Sequence, residues 1–282
     1  MTKKDIYKEG DTMRKLITAM LVLIVLTALV GCVEKTKKSG VSKNGSVDYQ
    51  IRMDPLPFEN VTESLKPVAK ELAFYTPKEA YKVSENVYEQ SFAIGVISAD
   101  AVMAISSREE SKLKAYTETL VGYSKNIGLK DEILKMADEI QMVLSTGDVN
   151  KWGHLEKLII QYQIEVETAF YQEGMLDQYT LMQLGGWAEG LNSITALYID
   201  HWDEKGAKTI NQRGIINALL NNLDLIQSEK IKSEKYYSLS TEGFKRIKEI
   251  IYSIEADQFY TREDLQEVNK ISREIVESVR NN

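Results

Sequence analysis

The chain has 282 residues, of which 43% are hydrophobic and 27% are charged, and it contains a single cysteine. This composition predicts a globular protein with a sizeable core, and it excludes a disordered tail, a collagen-like repeat and a small disulfide-stapled scaffold. The 35 Lys and Arg residues are outnumbered by 42 Asp and Glu residues, so the net charge is −7. An acidic chain is a poor general binder of nucleic acid, because the phosphate backbone attracts a basic surface.

The N-terminal region contains one uncharged, apolar segment, residues 16–31, with the sequence LITAMLVLIVLTALVG. Arg14 and Lys15 precede it, and basic residues followed by a short apolar core and small residues are the parts of a secretory signal peptide. The segment is short for a permanent membrane helix, which usually needs about 20 apolar residues. An uncleaved membrane helix is the alternative. The true start of the chain is either Met1 or Met13, and the prediction is the same for both.

The only cysteine, Cys32, directly follows this apolar segment. Together with the preceding Leu-Val-Gly, it resembles the lipobox of prokaryotic membrane lipoproteins, and the resemblance covers residues 13–32 alone. The resemblance implies that the signal peptide, residues 1–31, is removed and that the Cys32 sulfur receives a diacylglyceryl group. Two acyl chains hold a protein firmly on a bilayer, at about 0.8 kcal/mol for each buried CH₂ group. The alternative is an unmodified thiol in a linker.

The predicted mature chain begins with a Lys-, Ser- and Gly-rich stretch, residues 32–54, which is typical of a flexible tether. Residues 55–282 are predicted to form a single all-helical domain. All four prolines lie between Pro55 and Pro77, and such an absence from the rest of the chain favours long helices, because proline costs about 3 kcal/mol within a helix. The lipoprotein resemblance places this domain at the cell membrane, lipid-anchored and facing outside the cytoplasm, on the periplasmic or extracellular side.

Hydrophobic periodicity predicts an all-α protein, a multi-helix bundle of about eight or nine helices. Alternating patterns bounded by tight turns, which would indicate a sheet, are missing from the sequence. The predicted helices cover residues 61–75, 78–107, 109–127, 130–145, 152–173, 176–202, 208–229, 234–256 and 261–281.

Residues at the predicted boundaries support several of these helices. Thr76 and Pro77 resemble a capped start with proline in the first helical position. Four glycines lie at predicted helix ends, where glycine can adopt the left-handed conformation of a C-cap. These glycines are Gly128, Gly147, Gly174 and Gly206.

Two predicted helices, at about 78–107 and 176–202, are apolar nearly all round. This pattern predicts that they lie at the centre, with amphipathic helices packed around them. Each contains two small residues four positions apart, which allow helix backbones to approach closely. We expect the two helices to cross at these residues, which are Gly95, Ala99, Gly186 and Gly190.

Sequence motifs for metal, nucleotide or nucleophilic chemistry are missing. The chain has no pair of cysteines, no His-Glu-x-x-His, no Gly-x-Gly-x-x-Gly after a strand and no Gly-x-Ser-x-Gly. The two histidines, His154 and His201, are interpreted as helix-end residues that make local hydrogen bonds. The sequence therefore predicts no metal site and no cofactor, and non-covalent haem bound through a single histidine is the alternative.

Asp100 is the most unusual residue, because its neighbours three and four positions away on a helix are all apolar. A buried carboxylate needs a partner, since an unpaired charge in a low-dielectric interior costs several kcal/mol. On the second central helix, Glu189, Asn192 and Ser193 form a polar strip with Trp187 beside it. If Asp100 faces this strip, these residues line a polar pocket between helices, where bundles bind ligands. The alternative is a structural contact that fixes helix register.

These observations predict a lipid-anchored, extracytoplasmic binding or interaction module. Its expected partners are the membrane, through the lipid, and a protein or small molecule, but not nucleic acid. Two alternatives stay open: an enzyme that uses Asp100 and Glu189 as an acid/base pair, and a sensor of a small solute. A sealed apolar surrounding of these carboxylates would argue against the enzyme.

Overall fold

The computed structural model describes residue 71, residues 74–255 and residues 259–280. These residues fall within one compact unit, Met53–Asn282. They contain α-helices and one short 3₁₀-helix, and this described part contains no β-strand. The prediction of an all-α protein is therefore confirmed.

Several predictions concern residues outside the described ranges. These are the signal peptide, the lipid-bearing Cys32, the tether and nearly all of the first predicted helix, 61–75. They stay predictions.

The described part contains eight helices of 13 residues or more and two shorter ones, in agreement with the predicted bundle. A single 3₁₀ turn, Lys208–Ile210, lies between the sixth and seventh helices. In chain order the helices are α1 (Val87–Ser107), α2 (Glu110–Ile127), α3 (Asp131–Leu144), α4 (Lys151–Gln172), α5 (Leu176–Asp200), α6 (Glu204–Ala207), α7 (Arg213–Leu225), α8 (Glu229–Ser233), α9 (Lys235–Ser253) and α10 (Arg262–Arg280).

The two apolar helices, α1 and α5, form the centre of the bundle and have the most extensive contact with each other. On one side, α2 and α4 pack on α1, and α3 bridges them. On the other side, α10 packs along α5, and α9 lies against α10 and α7. Sixteen of the 21 residues of α1 are buried, which explains why this helix has no polar face.

Among the described helices, α1 alone is long and apolar enough to cross a membrane. Most of its side chains are buried against the surrounding helices. A core helix of a globular bundle has the same length, composition and burial.

The first central helix begins nine residues later than predicted, at Val87 rather than at residue 78. Asn86 is its N-cap, because the Asn86 side chain accepts a hydrogen bond from the backbone N–H of Tyr88 at 3.1 Å. An asparagine cap satisfies a backbone donor that the first turn of a helix leaves free. The cap therefore marks the true boundary of α1.

The segment before α1 is not helical, so the predicted capped start at Thr76 and Pro77 is wrong. Two side chains of α2 donate hydrogen bonds to backbone carbonyls of this segment instead. The Lys112 ammonium donates to the carbonyl of Thr76 at 3.0 Å, and the Tyr116 hydroxyl donates to the carbonyl of Pro77. In a helix, these backbone carbonyls would accept hydrogen bonds from backbone N–H groups. Because the two α2 side chains supply the donors instead, the segment does not need to be helical.

Two of the four predicted glycine caps are confirmed. Gly128 and Gly174 have φ values of 86° and 69° directly after α2 and near the end of α4. The other two predictions are wrong, because Gly147 has no positive φ and Gly206 lies within α6. At Gly206 a Cβ atom would lie 2.1 Å from the ring of Tyr198, so close packing requires glycine there.

The predicted helix 208–229 is also wrong, because the structure divides it into a 3₁₀ turn, α7 and the start of α8. Asp177 on α5 explains one of these breaks. Its carboxylate accepts the backbone N–H groups of Gln227 at 3.2 Å and Ser228 at 3.0 Å. These bonds hold the chain extended between α7 and α8.

Candidate functional site

The two central helices contact each other through their backbones. A Cβ atom on Gly95 would lie 1.9 Å from the carbonyl oxygen of Met182, and one on Gly185 would lie 2.1 Å from that of Phe92. Gly186 is also close, since its Cβ would lie 3.4 Å from the carbonyl oxygen of Gly95. The crossing of α1 and α5 is therefore built on Gly95, Gly185 and Gly186.

The other two residues expected at the crossing lie outside the closest contact. No atom lies within 4 Å of the position that a Cβ on Gly190 would occupy. Ala99 is half-buried and packs against Met103 and Leu197. The close approach of Gly185 was not predicted, because the spacing of four that pointed to Gly186 and Gly190 does not include it.

Asp100 lies on α1 with its side chain entirely buried. Neither carboxylate oxygen has a hydrogen-bond partner among the described residues. Burial raises the pKa of Asp100 well above its ordinary value, and the neighbouring charge of Glu189 raises it further. The positive charges of Arg280 and Lys112 act in the opposite direction. Burial therefore shifts Asp100 toward its protonated, neutral form.

Glu189 lies on α5 and exposes 4% of its surface. Its carboxylate accepts hydrogen bonds from the Ser193 hydroxyl at 2.9 Å and from the Asn192 amide at 3.4 Å. Burial raises the pKa of Glu189 to about 7, although these hydrogen bonds and the charge of Arg280 lower it. Asp100, Glu189, Asn192 and Ser193 together are called the buried polar cluster below.

Helix α10 extends this cluster. The Asn269 amide donates to the Asn192 carbonyl at 2.7 Å and to the Thr195 hydroxyl at 3.1 Å. At the end of the same helix, the Arg280 guanidinium lies 4.6 Å from the centre of the Tyr81 ring. No local sequence pattern predicts these α10 contacts, because 77 positions separate Asn269 from Asn192.

The structure therefore brings four of the five predicted pocket residues into one region, in which Asp100, Glu189 and Ser193 are buried and Asn192 is half-buried. Asp100 exposes 0% of its surface and Glu189 exposes 4%. The fifth residue, Trp187, is half-buried and packs against the core, and its indole N–H has no described partner. A buried carboxyl pair of this kind can hold a proton, but an external substrate cannot reach it in this conformation.

An open cleft of about 410 Å³ lies elsewhere, between the C-terminal end of α5 and the start of α10. Two of its aromatic residues, Trp202 and Phe259, are each 40% exposed. The Lys208 ammonium lies 4.1 Å from the centre of the Phe259 ring. No sequence pattern predicts this cleft, because its two sides are more than fifty residues apart along the chain. The lining residues are Trp202, Glu204, Phe259, Tyr260, Thr261, Arg262 and Glu263.

The described residues contain no group of three or more His, Cys, Asp or Glu side chains that could hold a metal ion. His201 is the C-cap residue of α5, and His154 lies in the first turn of α4. No known protein family, curated protein or solved structure matches this chain. Function must therefore be inferred from the sequence features and the geometry alone.

Proposed function

We propose that this chain is a lipid-anchored binding protein, displayed outside the cytoplasm, that does not act as an enzyme. The anchor is supported by the lipobox-like sequence that ends at Cys32. One observation carries the choice of binding over catalysis. The acid/base pair predicted from the sequence, Asp100 and Glu189, exposes 0% and 4% of its surface. A catalytic group must reach the proton that it transfers, and these carboxylates have almost no surface at which to do so.

The open cleft supports the same proposal. Its volume of about 410 Å³ lies within the range of roughly 300 to 1,000 Å³ that small-molecule sites occupy. Its walls include the exposed aromatic rings of Trp202 and Phe259. Rings that remain exposed at the rim of a concavity offer apolar surface to a ligand.

An enzyme based on Asp100 and Glu189 is the second candidate, because the pKa of Glu189 is raised to about 7 and acid/base catalysts are tuned in this direction. Such an enzyme would have to separate α1 from α5 to admit a substrate. The backbone contact at Gly95 and Gly185 opposes this opening. A solute sensor would bind its ligand without turnover, and it would satisfy the binding proposal.

The anchor is tested by mass spectrometry of the mature N-terminal peptide, from the native chain and from a Cys32→Ser variant. We expect the native chain to begin at Cys32, to carry a diacylglyceryl group and to sediment with membranes. The variant should lose the modification and keep its leader. An unmodified Cys32 within a longer mature chain would overturn the anchor.

Binding is tested by thermal-shift screening of the full chain in a non-ionic detergent. Two variants accompany it, Trp202→Leu in the cleft and the double variant Asp100→Asn, Glu189→Gln in the core. We expect a ligand to raise the melting temperature of the parent and of the double variant, but not that of Trp202→Leu. If the parent chain converted a screened compound to product and the double variant did not, the enzyme would be established instead.

A further inference from the structure

We infer that the cleft between α5 and α10 binds a small organic cation. In this assignment Trp202 and Phe259 present their π faces to the ligand, and Glu204 and Glu263 supply the opposite charge. The inference rests on the proposed binding function and adds the chemical class of the ligand.

The aromatic residues of the cleft are suited to a cation. The face of an aromatic ring carries partial negative charge and attracts a cation that lies within about 6 Å of the ring centre. Trp202 and Phe259 are each 40% exposed, so part of each side chain is accessible from solvent. Tryptophan is the strongest of the three aromatic side chains in this interaction.

The structure already contains an ammonium group on one of these rings. The Lys208 Nζ atom lies 4.1 Å from the centre of the Phe259 ring, well within cation–π distance. Lys208 belongs to the 3₁₀ turn Lys208–Ile210, next to the cleft. The Phe259 ring therefore lies in a position where a positive charge is stabilised.

The cleft has no net charge, because the Arg262 guanidinium and the Lys208 ammonium balance its two carboxylates, but those carboxylates can pair with a cation that displaces the ammonium. Its lining contains two carboxylates, Glu204 and Glu263, and one guanidinium, that of Arg262. The guanidinium donates a hydrogen bond to the carbonyl of Ile199 at the end of α5. Among the described residues, neither carboxylate takes part in an ion pair. A cationic ligand that takes the place of the Lys208 ammonium on the Phe259 ring would occupy the same cleft as these two carboxylates.

The start of α10 also offers little to an anion, although helix N-termini usually attract anions. Thr261 and Asp264 cap this end reciprocally. The Thr261 N–H donates to the Asp264 carboxylate at 2.8 Å, and the Asp264 N–H donates to the Thr261 hydroxyl at 3.1 Å. A carboxylate of the chain itself thus occupies the position where an anion would bind.

The experiment uses choline as the probe cation and dimethylbutanol, its neutral carbon isostere, as the comparison. Both are titrated by calorimetry into the full chain in a non-ionic detergent. The two probes have nearly the same shape, so any difference in their affinity reports the charge. We expect choline to bind about tenfold more tightly than the isostere, which corresponds to about 1.4 kcal/mol.

Two variants locate the site. Trp202→Leu removes the aromatic face and Glu204→Gln removes a charge while it keeps the shape, and each should weaken choline binding about tenfold. Matched controls are Tyr171→Leu, an aromatic residue on α4 that is 49% exposed, and Glu118→Gln, an exposed carboxylate on α2. Both controls should bind choline as the parent does. If Trp202→Leu fails to fold, Glu204→Gln decides the question.

Equal binding of choline and dimethylbutanol, or no binding of choline, would overturn the inference. So would choline binding that both variants retain. These failures are distinguishable from failure of the proposed function. A library compound whose binding Trp202→Leu abolishes would keep the cleft as a binding site for another class of ligand. If no compound bound to the chain at all, the proposed binding function would lose its support as well.

Discussion

Gly95 faces the carbonyl oxygen of Met182 so closely that a Cβ atom on Gly95 would lie 1.9 Å from that oxygen. Gly185 has the reciprocal relationship with the carbonyl oxygen of Phe92, at 2.1 Å. Because backbone meets backbone at both points, no change of side-chain rotamer can relieve an added methyl group. The crossing sets the distance between α1 and α5, and with it the depth at which the buried polar cluster lies.

The substitution Gly95→Ala should therefore strongly destabilise the domain. Overpacking of a tight core typically costs 1 to 3 kcal/mol, and we expect a loss of about 3 kcal/mol or more because the obstacle is backbone. The measurement is the free energy of unfolding from denaturant titration. Gly190→Ala on α5 is the matched control, since nothing lies within 4 Å of its Cβ position. The control should be neutral, or more stable by up to about 1 kcal/mol. Equal effects of the two substitutions would contradict the crossing.

The stability of the domain should fall as the pH rises from about 4.5 to about 7. Burial raises the pKa of Glu189 from 4.5 to about 7, and it raises that of Asp100 well above 3.8. The unfolded chain releases these protons near the ordinary values, so in this interval the folded state binds more protons. This contribution to the stability of the fold is complete below the pKa that each carboxyl has in the unfolded chain. It is lost as the pH rises through the pKa that the carboxyl has in the folded chain. For Glu189 it is on the order of 3 kcal/mol.

The variants Asp100→Asn and Glu189→Gln should flatten this pH dependence, because an amide has no proton to release. The measurement is the free energy of unfolding at several pH values. Glu167 also has a pKa raised to about 7 by burial, so Glu167→Gln measures its separate share. If the double variant kept the slope of the parent chain, the two core carboxylates would not be its source.

Asn269 joins α10 to α5, and its replacement by leucine should destabilise the domain by about 1 to 3 kcal/mol. The Asn269 amide donates to the Asn192 carbonyl at 2.7 Å and to the Thr195 hydroxyl at 3.1 Å. Leucine removes both of these partly buried hydrogen bonds, and each typically contributes about 0.5 to 1.5 kcal/mol. Thermal unfolding followed by circular dichroism measures the effect. Lys270→Ala, at the exposed neighbouring position, should change little, and a loss of similar size there would point to α10 helicity instead.

Gly128 ends α2 in the left-handed conformation, with a φ of 86°. Its backbone N–H donates to carbonyls of the last helical turn, including that of Lys125. The substitution Gly128→Ala should cost about 1 kcal/mol, because a Cβ atom disfavours this conformation. Gly122→Ala, within the same helix and with open space around its Cβ position, should stabilise instead. Urea titration of both variants measures the difference, and two losses of the same size would exclude the cap as the cause.

Composition and periodicity by themselves determined the fold class and the central helices. A helix must bury its apolar surface, so two helices without a polar face had to lie inside the bundle. The caps at Gly128 and Gly174 were predictable for a similar local reason, since glycine is the residue that tolerates a positive φ. Each of these features depends on residues within a few positions of one another.

Tertiary structure decided that the segment before α1 is not helical and which polar residues meet. The segment before Val87 is non-helical because Lys112 and Tyr116, on another helix, bind its carbonyls. The sequence raised the pairing of Asp100 with Glu189 as a hypothesis, but only the backbone contact at the crossing determined that the pair is sealed rather than open. The aromatic cleft likewise depends on parts of the chain that are distant in sequence. Hydrophobic periodicity reports which face of a helix is buried, whereas the partner of that face is set by how the helices pack.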